Sequence, residues 1–168
     1  MHAYSRRMHG AARPAGAFVG ARPIQVTSRQ MLEPLYEQAT GPSLNFLMDL
    51  IGRPTCSAWC WQDHSETVAS AWFTSVGDEG ELIDIRVAEN KRRRGLGASL
   101  LRFALGELTT TGLAVCRLEV RQSNHAARRL YKGLGFEDTG QRSNYYRVQE
   151  GREDAILMAI DLKAILNS

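Results

Sequence analysis

A chain of 168 residues, 43% hydrophobic and with a formal net charge of +3, can bury a substantial core as one globular domain. Its longest apolar runs fall far short of the roughly 20 residues that a membrane span requires. Five arginines (Arg6, Arg7, Arg13, Arg22, Arg29) and no acid lie in residues 1–32, leaving 16 basic and 18 acidic residues beyond, so the rest lacks the basic footprint of a nucleic-acid-binding domain.

The first 24 residues mix Gly, Ala, Arg and Pro with little periodicity and read as a basic leader. Both an unstructured extension and an organellar transit peptide fit that composition, and the extension fits better. Residues 25–168 read as a single domain. Three cysteines, Cys56, Cys60 and Cys116, are few and odd in number, which suits reduced thiols and a cytoplasmic setting.

After the leader, residues 28–40 predict a helix capped by Thr27 or Ser28, with Leu32, Leu35, Tyr36 and Ala39 on one face and Pro34 limiting its start. A second short helix is predicted from Ser43 to Ile51, ended by Gly52 and Pro54. "CSAWCWQ" and "TVASAWFTSV" read as strands joined by the polar turn "DHSE". "GELIDIRV" is a third strand, with Leu82, Asp84 and Arg86 opposite Ile83, Ile85 and Val87. Cys56, Cys60 and His64 are four apart, as metal ligands on a helix would be. The local period is that of strand and turn, so no metal site is predicted. Trp59, Trp61 and Trp72 read as core or sheet-face residues.

From Gly95 a helix is predicted through Leu100, Leu101, Ala104, Leu105 and Leu108, stopped by Gly112. "LAVCRLEVR" reads as a strand buried on both faces. "SNHAARRLYKGLG" reads as a helix with a Ser or Asn cap, and "FEDTGQRSNYYRV" and "EDAILMAIDL" as two closing strands. This order predicts a mixed α/β sandwich around one sheet and lacks the early crossover helices of a doubly wound fold.

One stretch runs against helix electrostatics. "NKRRRGLGASLL" (residues 90–101) places Arg92, Arg93 and Arg94 at a helix N-terminus, where cations are unfavourable. Gly95 and Gly97 allow close backbone approach, and the first helical amides point outward together, so the stretch can cradle a pyrophosphate. A solvated arginine cluster at a turn is the competing reading. A Rossmann fingerprint would need glycine at position 100, which is Leu, and a Walker loop would need Gly-Lys-Ser/Thr, which is absent.

"RRRGLGASLL" resembles the Gln/Arg-x-x-Gly-x-Gly/Ala signature of the GCN5-related N-acetyltransferases (GNAT). "RLEVRQSNHAARRLYKGLGFEDTGQRSNYY" followed by "GREDAILMAIDL" resembles the RimI-like ribosomal-protein alanine N-acetyltransferases over roughly residues 81–162. The resemblance implies the GNAT fold, a mixed and mostly antiparallel central sheet flanked by helices. It implies acetyl-CoA as cosubstrate and no metal. The acceptor it implies is a protein N-terminus, the alanine of a small-subunit ribosomal protein, without direct nucleic-acid or membrane partners. By similarity Glu119 is the proton acceptor and Tyr131 the proton donor to the departing thiolate. Acetyl-CoA contacts fall on Ile85, Arg86 and Val87, on Arg93, Arg94, Gly95, Leu96, Gly97 and Ala98, and on Asn124.

The residues themselves leave alternatives beside these roles. Glu119 interrupts an apolar strand, which is costly unless it borders a cleft, or unless it pairs with Arg117 or Arg121 on its own face. Tyr131 also fits a core tyrosine whose hydroxyl bonds backbone, and Asn124 a helix cap. Arg92 fits the signature's first position or contacts only solvent. Tyr145 and Tyr146 either guide the incoming amine or pack. The family's aromatic-proline-tryptophan stretch after the first helix is absent from "ATGPSLNFLMDLIGRP", which leaves the acceptor open. A small-molecule amine acetyltransferase and a non-catalytic acyl-CoA sensor therefore remain as alternatives.

Overall fold

The strand-like runs pair into one seven-stranded sheet in a computed structural model that describes residues 22–37, 41–149 and 151–165, with backbone alone at 164 and 165. Nearly all of the predicted leader, residues 1–21, and Ala39 of the predicted first helix lie outside the described residues. The strands are β1 (Ile24–Gln25), β2 (Cys56–Asp63), β3 (Glu66–Val76), β4 (Glu79–Val87), β5 (Val115–Arg121), β6 (Glu137–Val148) and β7 (Gly151–Asp161). Their spatial order is β1-β2-β3-β4-β5-β7-β6, and only the β4–β5 pair is parallel. The GNAT fold class inferred from sequence is thus the observed one. Three short elements among the described residues lie outside the sequence prediction: β1, a 3-10 turn at Glu89–Lys91 and the closing helix α5 (Leu162–Ile165).

The predicted first helix is broken in two, a 3-10 turn at Arg29–Met31 and a single turn α1 (Glu33–Tyr36). Pro34 accounts for the break, because it has no N–H to give and fits only the first turn of a helix. Helix α2 (Leu44–Ile51) begins where the sequence said, with Ser43 Oγ accepting from the Phe46 amide at 3.2 Å. Helix α3 (Leu96–Thr110) buries Leu100, Leu101, Ala104, Leu105 and Leu108, the face that the 3.6-residue spacing marked. Helix α4 (His125–Lys132) is capped by Asn124, whose Oδ1 accepts from the Ala127 amide at 3.1 Å.

Each face of the sheet has its own apolar cluster. Helices α3 and α4 cover one face over Trp59, Trp61, Phe73, Leu118 and Met158. On the other, α1 and α2 cover Ala58, Cys60 and Trp72, so that β2 and β3 are buried on both sides. All three tryptophans are core residues. Strand β5 departs from the expected two-sided burial: Cys116, Leu118 and Val120 are buried, while Arg117, Glu119 and Arg121 face outward. No helix of α1 or α2 reaches that far across the sheet, so the strand keeps an ordinary apolar-in, polar-out alternation.

Candidate active site

A bulge in β4 creates the cleft. Trp72 of β3 pairs with Asp84 while Phe73 pairs with Leu82, so Ile83 is an extra residue and the strand bends there. The parallel ladder between β4 and β5 runs from Glu79↔Val115 to Leu82↔Leu118 and stops at the bulge. Beyond it Ile85, Arg86 and Val87 stay paired to Ala71, Ser70 and Ala69 of β3, and their edge toward β5 has no ladder partner. The bulge also resets side-chain parity, which corrects the predicted faces of this strand. Leu82 points to the α3 side as expected from its burial, and after the extra residue Ile85 and Val87 take over that side. Asp84 and Arg86 turn to the α1 side instead, where they meet Tyr36.

The loop after β4 leads into α3 at the mouth of this wedge. Arg93 and Gly95 both have positive φ, +59° and +78°, and a Cβ on Gly95 would meet nothing within 4 Å. Gly95 is there for its backbone, and the space above it is open. The amides of Leu96, Gly97 and Ala98 open the helix without an intrahelical acceptor. Arg93 and Arg94 are exposed beside them. Leu96 itself is a core side chain, so only its backbone faces the loop. Gly97 serves packing as well: a Cβ there would lie 3.4 Å from Leu130 and 3.5 Å from Val87. Arg92 does more than meet solvent, because its Nε donates to the Val87 carbonyl at 3.1 Å and ties the loop to the strand end.

Glu119 is the first residue of β5 beyond the last β4 pair. Its carboxylate is paired with Arg142 of β6 at 3.0 Å, a partner not foreseen from sequence. Arg117 and Arg121 are engaged elsewhere, with Glu79 at 2.9 Å and Glu153 at 3.1 Å. Each of those pairings crosses to another strand, because neighbouring strands offer acids closer than the i±2 spacing along β5 does.

Tyr131 of α4 reaches the wedge from the other side of the sheet. It is 6% exposed and packs on Phe136 at 5.8 Å. Its hydroxyl makes no hydrogen bond with a described residue, so the expected backbone partner for a purely structural tyrosine is missing. Burial first, then the charges of Asp84 and Tyr146, push its pKa well above the usual phenol range. Tyr146 connects the two halves: Glu119 acts on its phenol, which itself acts on Tyr131, and Arg121 stacks over its ring at 4.4 Å. Tyr145 stands edge-on to it at 5.1 Å and is more exposed. Asn124 is a cap, and its amide N–H groups remain available beside that role.

Sequence reading passed over Tyr36, Asp84 and Arg142. The signal for Asp84 was visible, a charged Asp-x-Arg pair inside "LIDIRV", but its face depended on the bulge. Cys56, Cys60 and His64 do not gather: Cys60 is buried under α2, and the His64 ring is exposed in the β2–β3 turn against Asp63. Among the described residues no helix is long and apolar enough to cross a membrane.

Comparison with known proteins bears on this geometry. The Acetyltransferase (GNAT) family profile matches residues 24–136. The [ribosomal protein bS18]-alanine N-acetyltransferase of Escherichia coli K12 is 47% identical over 87 residues, 52% of this chain and 59% of the relative. The match thus spans less than two thirds of that protein's length. Its counterpart in Haemophilus ducreyi is 33% identical over 103 residues, 61% of this chain and 71% of the relative. The crystal structure of the Escherichia coli ribosomal-protein-S18-alanine N-acetyltransferase superimposes with a TM-score of 0.77 at 31% identity, covering 84% of this chain and 93% of that one. A spermidine N-acetyltransferase SpeG chimera from Vibrio cholerae and hSSAT superimposes with a TM-score of 0.75 at 17% identity, over 88% of this chain and 100% of that one, and shows the fold alone. With a family profile covering most of its length and the parted β4–β5 pair at its centre, the chain belongs to the GNAT acetyltransferase family.

Proposed function

We propose that this chain transfers an acetyl group from acetyl-CoA to an α-amino group, the N-terminal alanine of a small-subunit ribosomal protein, in the cytoplasm. The observation that carries this reading is the parting of β4 from β5 at Leu82 and Leu118, with Glu119 next on one strand and Tyr131 reaching in from α4. The residues present fit acetyl-CoA. The free β4 edge at Ile85–Val87 offers backbone groups to an extended amide-bearing chain. The open space above Gly95, the first amides of α3 and the exposed Arg93 and Arg94 suit a pyrophosphate.

Acetyl-CoA supplies the activated thioester, and the protein's work is to move protons around it. An amine must be neutral to attack and must shed a proton afterward. Glu119, facing the open side of the sheet, takes up the amine's proton, and Arg142 releases the carboxylate as the acceptor enters. Tyr131 holds its proton at neutral pH because burial disfavours the phenolate, so its hydroxyl can protonate a departing thiolate. Tyr146 lines the path between the two. The relatives' printed acceptor, a ribosomal-protein alanine, supports the choice of an α-amine. An α-amine titrates near 8 and a lysine near 10.4, so at neutral pH the former is far more available for attack.

The deciding assay follows acetyl-CoA consumption with an Ala-Arg-initiated peptide, its N-blocked twin and a panel of small amines. Acetylation of the free peptide and little of the blocked one is the expected result. Equal rates on both refute the α-amine reading. Turnover confined to small amines favours a metabolite acetyltransferase, and no turnover with any acceptor favours an acyl-CoA sensor.

A further inference from the structure

The ion pair Asp84–Arg86 is the most deeply buried among the described residues, with side chains 10% and 9% exposed. Such a pair adds little net stability compared with apolar residues of similar size. This one is also incompletely satisfied, since Arg86 Nη1 is buried without a hydrogen-bond partner. Its other contacts are made with care. Arg86 Nε donates to Asp84 Oδ2 at 2.9 Å, Nη2 donates to the Pro42 carbonyl at 2.7 Å, and the guanidinium lies 4.0 Å over the Tyr36 ring. The Tyr36 hydroxyl donates to the same Asp84 oxygen at 2.8 Å and lies 2.9 Å from Ser70 Oγ.

Both bonds therefore converge on Oδ2, and no described donor reaches Oδ1. Above the pair passes Gly41, where a Cβ would stand 3.9 Å from Oδ1. Asp84 belongs to the part of β4 that has parted from β5, and its charge is felt at the Tyr131 hydroxyl. A carboxylate fixed through one oxygen, with the other unbonded on the part of β4 that has left β5, can accept from a further cationic donor. The geometry points to Asp84 as a specificity-determining residue of the acceptor side, its Oδ1 receiving the incoming α-ammonium group while Tyr36 and Arg86 hold the carboxylate through Oδ2. This rests on the acetyltransfer reading and divides the labour: Asp84 collects the charged amine, and Glu119 takes its proton.

The titratable or charged groups facing Asp84 are Arg86 on its own strand, Tyr36 on α1 and Tyr131 on α4; β3 contributes only the Ser70 hydroxyl. Burial pushes the Asp84 carboxyl up and Arg86 pulls it back. Because a guanidinium does not lose its proton, a neutral Asp84 would strand a buried cation, and the carboxylate stays ionised at neutral pH.

The test compares wild-type protein with Asp84→Asn on the Ala-Arg-initiated peptide between pH 7 and 9.5. At pH 7 the variant should raise the peptide KM at least about tenfold, while kcat stays within about threefold and the Kd for acetyl-CoA is unchanged. The gap should narrow as the acceptor amine titrates near pH 8, because a neutral amine gains nothing from the anion. Tyr36→Phe, which keeps the charge and removes one bond to Oδ2, should raise KM by about threefold. If Asp84→Asn does not fold, Asp84→Asn with Arg86→Gln removes both charges together and carries the same expectation for the peptide KM and its pH dependence. An unchanged KM, a gap that is constant across the pH range, or a loss confined to kcat overturns the inference. Failure of the wild-type protein to acetylate any α-amine refutes the acetyltransfer reading first, and the role of Asp84 falls with it.

Discussion

Replacing Tyr131 by Phe separates a chemical role from a packing one, because the structure predicts a loss of turnover without a loss of stability. The ring is buried and leans on Phe136, contacts that phenylalanine reproduces in full. The hydroxyl forms no hydrogen bond with a described residue, so its removal breaks none of those described. With the ring's packing kept, the variant should unfold at about the wild-type denaturant midpoint. Turnover should fall. The burial-raised pKa keeps the phenol protonated through neutral pH, the state a general acid requires. Loss of a positioned acid costs about 10²–10⁴ in rate, or about 2.7–5.5 kcal/mol of barrier. Steady-state kcat with the free peptide, calorimetric titration of acetyl-CoA and denaturant unfolding give the three numbers. A kcat within about threefold of wild type would refute the assignment. So would a fall in kcat accompanied by an equal fall in stability, since that is the mark of a core residue.

The two loop glycines should fail differently. Gly95→Ala meets open space but holds φ at +78°, so it should cost about 1–2 kcal/mol of stability in chemical unfolding. Gly97→Leu drives atoms into Leu130 and Val87, should cost about 1–3 kcal/mol by overpacking, and should weaken acetyl-CoA binding at least about tenfold. Equal affinity in a folded Gly97→Leu protein would remove the phosphate-cradle reading. The buried Cys116 thiol gives a pH prediction: burial lifts its pKa from an ordinary 9.0 to about 12. Below pH 9 both folded and unfolded chains keep the thiol proton; above it the unfolded chain loses it first. Stability should therefore drain as pH rises from about 9 to about 12, by roughly 4 kcal/mol across the window. Cys116→Ala should flatten that slope, and an unchanged slope would contradict it.

The sequence was most legible where local rules and tertiary demand agreed. Helix α3 needed only its apolar spacing and a left-handed glycine before it, and α2 only its serine cap. It was least legible where a strand's neighbour decided the outcome. Glu119 sits between two arginines on its own strand, yet its partner is Arg142, 23 residues further along the chain and two strands away in the sheet. The two-sided burial predicted for β5 failed because nothing in "LAVCRLEVR" says whether a helix covers its second face.

What the sequence determined alone was the family, the order of the major elements and the presence of a glycine-arginine loop opening a helix. Those are properties of short stretches, set by backbone freedom, side-chain period and capping. What only the tertiary structure decided was the site. One extra residue at Ile83 ends the β4–β5 ladder, opens the wedge and turns Asp84 and Arg86 from one face of the sheet to the other. A bulge arises from the register between two strands, and side chains alternate with a period of two. A one-residue shift therefore reassigns every position after it, and the residues of β4 cannot announce which of them the partner strand will leave unpaired.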